Sequence, residues 1–554
     1  MELHLLGAAT TVTGSQFLLV TEQARILVDC GMFQGSPNEG IRNRIPFAYD
    51  PAGIDAILLT NAHLDHCGLI PHIVARGFRG PVFATRGTVE LAELVLLDSG
   101  KLQEEFVKRG ARWERRNPEE AAVEAREEEH ALEAAIELAE AGEAIPDAGE
   151  SVASSHDGVA SSHDGAAPSD DRAAPSRDAE AAPSHDAEAT LRAQPPEVEI
   201  DLDEPLYTEA DARRALGHFR GIGYNEEIEV APGIRATFVD AGHILGSAII
   251  RLRAANVRGG PELRIVFSGD LGRPGTPILR DPTVVTEADY LLVESTYGGR
   301  EHEPQEEAVR ILAETVRLVA EHDGVLLVPS FAIGRTQELV WELDRLIDAG
   351  AIPLVPLYLD SPMASKASDV YRHHPDYYDD ETRRLLEGND TPLDYPNQLV
   401  TNDVRDSEAI ARAPRPYMIV ASNGMLTGGR VVGHLRTLID DPSAVILFVG
   451  YQGEGTLGAH LQAGARTVRI DGAERQVRCQ VRSISGFSAH SDESELLDWV
   501  ANFTRGRRPG DPGWPKRVFI VHGDPEAQRA LEPKVQALGL DTLVPRWHQR
   551  VTLD

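Results

Sequence analysis

His63, Asp65 and His66 stand together in the stretch 60–68, Thr-Asn-Ala-His-Leu-Asp-His-Cys-Gly, with only Leu64 interrupting them. Imidazole nitrogens and a carboxylate oxygen are the ligand set of a borderline divalent ion such as zinc. On a tight loop the two imidazoles need not face one way, so the cluster suits two metals sharing a bridge. The plain alternative is a polar loop whose histidines cap a strand. Against it stands a recurrence. Asp29, His243, Asp270, Glu294, His490 and His522 also fall at or near the ends of apolar runs, several of them beside glycine, as in Ser268-Gly-Asp270 and His522-Gly523. In a layered α/β fold the carboxyl ends of strands share one edge, and a site is expected there. Asp29, in Asp29-Cys30-Gly31, reads either as a turn former or as a carboxylate that orients a metal-binding histidine.

The elements that must position these residues follow from hydrophobic patterning. Residues 54–59 form an apolar run leading into the cluster. Strands are expected at 1–6, 16–20, 25–28, 81–84, 236–239, 248–252, 263–267, 290–293 and 517–521, and helices at 71–75, 88–106, 209–216, 306–321 and 493–503. On the 88–106 helix, Leu91, Leu94, Val95 and Leu102 are expected to face inward. From about 300 to 461 the chain reads as a self-contained α/β unit of parallel strands at 325–328, 354–359, 417–421 and 444–450. Its loops, Ser330-Phe-Ala-Ile-Gly334-Arg335 and Ser422-Asn-Gly424 through Arg430, have the small residues and helix starts that suit phosphate binding. Ser330, Arg335, Ser422, Gly424 and Arg430 are the candidates there.

The chain of 554 residues is long enough for two or three domains, and its 42% hydrophobic content supports proper cores. It has no run of 18 apolar residues and no basic-then-apolar leader, which points to a soluble cytoplasmic protein with no membrane partner. Three scattered cysteines, Cys30, Cys67 and Cys479, fit a reducing compartment. Net charge is −34, and residues 117–204 hold 25 acidic against 4 basic residues. With 5 lysines among 54 basic residues, the composition suits a high-salt cytoplasm and argues against a broad basic nucleic-acid-binding face. Residues 119–141 are expected to form a solvated helix, having too few large apolar side chains to anchor a core. Residues 151–189 are low in complexity and expected to be disordered; His156, His163 and His185 lie among them beside aspartates.

The ordered set Asp29, His63-Leu-Asp65-His66, His243 and Asp270 resembles the metallo-β-lactamase superfamily. Glu294, Phe487-Ser-Ala-His490 and Val521-His522-Gly523 look like motifs A, B and C of its β-CASP nuclease branch, which includes the endonuclease subunit of the cleavage and polyadenylation specificity factor. The resemblance spans the chain apart from an acidic insertion at about 113–205, and the chain looks like the short, stand-alone prokaryotic form. It implies an α/β fold in which an αββα metallo-β-lactamase domain (1–300, closing at 462–554) is interrupted by a β-CASP domain (301–461) with a mainly parallel sheet. It implies two zinc ions, one on His63, His243 and Asp270, the other on Asp65, His66, His522 and bridging Asp270. His490 would be the general acid, Glu294 would hold its imidazole, and Asp65 would orient the attacking water. The substrate implied is single-stranded RNA, histidine at 522 being associated with RNA-directed members, and relatives often pair as homodimers. Asn61 departs from the pattern, which has histidine there. An amide oxygen is a far weaker zinc donor, so the first site is expected to be weak or empty, and a slow or non-catalytic RNA-binding homologue is the alternative.

Overall fold

The computed structural model describes residues 1–35, 40–143, 202, 204–255, 262–391, 393–450, 452–453 and 455–554. The low-complexity stretch at 151–189, with its three histidines, lies outside them. In the N-terminal strands Glu2–Gly7, Gln16–Val20, Arg25–Val28 and Ala56–Leu58, successive side chains alternate between two faces, and both faces are apolar. Such strands must be covered on both sides. Leu5, Phe17, Ile26 and Leu58 meet Phe238, Ile250, Phe267 and Phe519 of a second sheet, while Leu18, Leu27 and Ile57 pack beneath Ile70, Ile73, Leu91 and Leu96 of helices. The far face of the second sheet, through Val266, Leu291 and Val293, is covered by Leu496, Val500 and Leu531. The result is the expected αββα layering.

Each of the two facing sheets has seven strands. The first runs, in spatial order, Gln549–Thr552, Glu2–Gly7, Gln16–Val20, Arg25–Val28, Ala56–Leu58, Val82–Thr85 and Phe219–Ile222. The second runs Thr542–Leu543, Arg517–Ile520, Tyr290–Val293, Leu263–Phe267, Ala248–Ala254, Ile234–Asp240 and Glu227–Ala231. A third sheet of six strands, Gln398–Val400, Leu357–Asp360, Tyr417–Ala421, Val325–Pro329, Ala444–Phe448 and Gln480–Ser483, is parallel throughout and carries an apolar core on each face.

Several elements differ from the expectation. The third sheet takes its edge strand from Gln480–Ser483, beyond residue 461, so its pairing extends past the boundary read from sequence. The run 354–359 becomes Leu357–Asp360, and Leu354 is exposed. The helix expected at 88–106 extends over Arg86–Glu114, with Leu102 turned to solvent, because its distal half projects beyond the core. The helix Pro118–Glu143 is not wholly solvated: Ala135 and Ala139 are buried, and Ala139 joins Ala9, Phe33 and Trp547 in a small cluster. Alanine carries too little apolar area to register in a search for large hydrophobic side chains, yet it permits close helix approach. Among the described residues no helix is long and apolar enough to cross a membrane.

Candidate metal centre

The facing sheets deliver their carboxyl ends to one place. Asp29 follows the strand Arg25–Val28, the 60–66 loop follows Ala56–Leu58, and His243, Asp270, Glu294 and His522 follow Ile234–Asp240, Leu263–Phe267, Tyr290–Val293 and Arg517–Ile520. His490 lies in the loop ahead of the helix Glu493–Ala501, whose start is fixed by a capping box between Asp492 and Glu495. Two site residues hold left-handed backbone, Asp29 at φ 59° and His522 at φ 50°, a conformation sparsely populated by non-glycine residues and concentrated at functional sites. Gly31 is required where it stands: a Cβ there would collide with the backbone carbonyl of Asp65.

Within this pocket, His63, His243 and Asp270 offer ligand atoms within 4.8 Å of one another, and so do Asp65, His66 and His522. Asp270 lies between the groups. Its Oδ2 is 3.1 Å from His66 Nε2 and 3.5 Å from His243 Nε2, and its Oδ1 is 3.5 Å from His522 Nε2. The outer nitrogens fix the tautomers. His66 Nδ1 donates to Asp29 Oδ2 at 2.8 Å, and His243 Nδ1 donates to the Ala489 carbonyl at 3.2 Å. Asp29 also accepts from Ser15 Oγ, Thr60 N and Thr60 Oγ1. His63 Nε2, His66 Nε2, His522 Nε2 and Asp270 Oδ1 are buried with no hydrogen-bond partner. Buried polar atoms are ordinarily satisfied; His66 Nε2 and His522 Nε2 meet at the Asp270 carboxylate, and His63 Nδ1 lies 3.3 Å from His243 Nε2, a convergence of ligand atoms that fits divalent metal ions.

Electrostatics agree with that fit. Burial opposes charge on Asp270, but His66, His522 and His243 outweigh it and hold the carboxyl well below its ordinary range. Burial, with His490 and His63 close by, depresses His243 well below the ordinary imidazole value, so it presents a neutral ring. Glu294, itself buried, accepts from Leu271 N at 2.6 Å and Thr296 Oγ1 at 2.6 Å, and lies 3.1 Å from His490 Nδ1. Burial works against protonated His490, but Glu294, Asp270 and Asp65 prevail and raise it to about 9. Thr296 Oγ1 also lies 3.3 Å from His522 Nδ1, which links the Glu294 carboxylate to both histidines.

Asn61 is fully buried and makes two hydrogen bonds: its Nδ2 donates to Asp270 Oδ2 at 3.1 Å, and its Oδ1 accepts from His63 N at 2.9 Å. A carboxylate can only accept and a peptide N–H can only donate, so these partners fix the amide's orientation. The amide oxygen is therefore engaged by backbone, and an NH₂ faces Asp270.

The expected phosphate-binding residues lie along the carboxyl edge of the six-stranded sheet, and the loop before Arg335 reaches the metal centre, where Gly334 and Glu338 line one cavity with His243 and Ala489. Ser330 follows Val325–Pro329, and Ser422 and Gly424 follow Tyr417–Ala421, with Ser422 Oγ 3.0 Å from Ser361 Oγ. The two candidate arginines are each paired within the chain. Buried Arg335 is paired with Glu338, and Arg430 donates to Asp360 Oδ1 at 2.7 Å within a cluster that includes His434 and Ser407. A guanidinium taken from water requires such a partner. Sequence reasoning also missed Ser15, Thr60 and Thr296, which orient the site carboxylates. Hydroxyl residues near strand ends carry no signal that separates them from ordinary turn formers.

The two halves of the αββα sandwich, a metal-ligating edge between them and an inserted parallel α/β domain define a metal-dependent hydrolase. Three family profiles match in order: "Metallo-beta-lactamase superfamily" at 9–84, "Beta-Casp domain" at 336–461, and "Zn-dependent metallo-hydrolase RNA specificity domain" at 474–545. Ribonuclease TTHA0252 of Thermus thermophilus is 32% identical over 545 residues, covering 98% of each chain. Transcription termination factors FttA of Methanosarcina mazei and Pyrococcus horikoshii are each 28% identical, covering 94% and 98% of this chain and 67% and 69% of theirs. The chain belongs to the β-CASP family of the metallo-β-lactamase superfamily.

Proposed function

We propose that this protein is a zinc-dependent ribonuclease that hydrolyses phosphodiester bonds of single-stranded RNA. The observation that carries the reading is the convergence of His66 Nε2, His522 Nε2 and Asp270 Oδ1, buried without hydrogen-bond partners, beside an imidazole braced by Glu294. The names of the relatives, a ribonuclease and termination factors, support RNA as the substrate class. His63, His243 and Asp270 would hold one ion, and Asp65, His66, His522 and the shared Asp270 the other. When bound, zinc supplies Lewis acidity toward water and toward phosphoryl oxygens.

The chain's own groups perform the remaining work. Asp65, with 17% side-chain exposure, and His490, with 18%, are more open than their buried neighbours and face the substrate side. Asp65 Oδ2 lies 3.6 Å from His522 Nε2, where it can orient the attacking water and accept its proton. His490, kept cationic by Glu294, gives its proton to the departing ribose oxygen. Asp29, Ser15, Thr60 and Thr296 hold the ligands so that little reorganisation accompanies reaction. Free, buried Cys30, Cys67 and Cys479 are consistent with work in a reducing cytoplasm.

Asn61 favours one second reading, an RNA-binding homologue with little turnover. Incubation of purified protein with end-labelled single-stranded RNA, with and without chelator, distinguishes them. The ribonuclease reading expects cleavage that chelator abolishes and added zinc restores. Cleavage indifferent to chelator overturns it, and binding without cleavage establishes the second reading.

A further inference from the structure

The chain crosses between its two domains twice, near residues 298–304 and again near 484–492, and the crossings are tied to each other. Ser485 N donates to Glu303 Oε1 at 2.7 Å, Gly299 N to Glu493 Oε2 at 2.7 Å, and Glu493 N to the Arg300 carbonyl at 3.1 Å. Another tie is His302. Its backbone N donates to Asp492 Oδ2 at 3.3 Å, and its ring Nε2 lies 3.2 Å from the His490 carbonyl oxygen. The His302 ring meets Tyr297 edge-on at 4.3 Å, and Tyr297 hydrogen-bonds to Ser488, whose Oγ accepts from His490 N at 3.3 Å. His302 is buried, and its Nδ1 has no hydrogen-bond partner among the described residues. A carbonyl can only accept, so Nε2 of this ring bears a proton. Burial and nearby Arg273, which lower it to about 4, keep it neutral.

We propose that His302 is a positioning residue for the proton donor His490. By donating to the His490 carbonyl, it fixes the backbone from which that imidazole reaches both Glu294 and the departing oxygen. The inference rests on the reading of His490 as proton donor. It adds that the donor is correctly placed only while the two domain crossings are tied at His302. No metal ligand is involved, so metal content should not change. A misplacement of about 1 Å costs on the order of 10²-fold in rate.

The test uses the full-length protein and two RNA oligonucleotides of one sequence. One is ordinary, and the other carries sulfur at the departing bridging position, where a thiolate leaves without needing a proton. His302→Ala should lower kcat on ordinary RNA roughly 10- to 100-fold with KM and zinc content held, while the sulfur substrate is cut at close to the wild-type rate. His302→Gln, whose amide N–H can reach the same carbonyl, should recover most of the loss. Equal loss on both substrates, no loss on either, or failure of His302→Gln to recover activity overturns the proposal. If His302→Ala does not fold, His302→Phe fills the volume without the donor and serves the same comparison. His490→Ala is the control for the underlying reading: should it slow both substrates alike, the proton-donor role itself is wrong.

Discussion

Asn61 shows how one side chain can change a site while leaving its architecture in place. Its NH₂ occupies a lone-pair direction of Asp270 Oδ2, the oxygen that lies nearest both His66 and His243. A hydrogen bond there competes with metal for the same electron pair, in addition to the loss of an imidazole ligand. Asn61→His should therefore bring the zinc content measured by elemental analysis closer to two per chain and raise RNA turnover. Unchanged stoichiometry would show that the amide is no handicap. The convergence of these residues was legible beforehand only from their recurrence at strand ends, since a single aspartate or histidine there serves as readily as a turn former or cap. What could not be read was the direction of the Asn61 amide, which only its two partners decide. The same holds for Thr296, which acquires meaning only beside Glu294 and His522.

The helix Arg335–Asp348 is where pattern reading fails at the level of elements. Gln337, Glu338, Glu342 and Asp344 look like a solvent face, yet all are buried, because the helix is covered on both sides. Leu339, Val340 and Leu343 join the core of the six-stranded sheet, while Trp341 joins a cluster in which Tyr371 and Tyr377 of its own domain meet Ile244 and Leu245 of the other. A face that is polar in sequence becomes interior only through a second domain, which local periodicity cannot report. The strands, by contrast, were legible because alternating or continuous apolar runs leave few other choices. Burial first, then nearby Glu338, push Glu342 up to about 7 despite a hydrogen bond from Gln305. A raised carboxyl contributes its full stability below the unfolded-state pKa and loses it as pH rises through the folded value. Glu342→Gln keeps the oxygen that accepts from Gln305 and removes the charge. It should stabilise the protein by up to about 3 kcal/mol at pH 8, with the advantage shrinking between about pH 7 and 4.5 and vanishing below. Thermal melting of both proteins across that range checks it, and a pH-independent difference would exclude ionisation as the cause.

For the whole molecule the dominant fact is charge. Net charge is −34, and the helix Pro118–Glu143 alone contains ten glutamates and one arginine. That helix is held by little apolar contact, Ala135 and Ala139 being its buried alanines, so like-charge repulsion opposes a weak attachment. Exposed charges interact over a Debye length of about 10 Å at 0.1 M salt and about 3 Å at 1 M. Raising KCl from 0.1 to 2 M should thus favour the native state. With unfolding entropy scaling over 554 residues, a gain of ~2 kcal/mol would move Tm by roughly 2 °C, measured by calorimetry. The helix should respond first, because regions with few buried contacts open most readily: cleavage by a glutamate-specific protease within 118–143 should slow with salt before Tm has risen fully. Screening depends on ionic strength alone, whereas strengthened apolar burial depends on the identity of the salt. KCl and Na₂SO₄ matched in ionic strength should therefore act alike. A Tm that rises only in sulfate would assign the effect to burial, and a Tm flat in both would mean that the carboxylates are already far enough apart to be harmless.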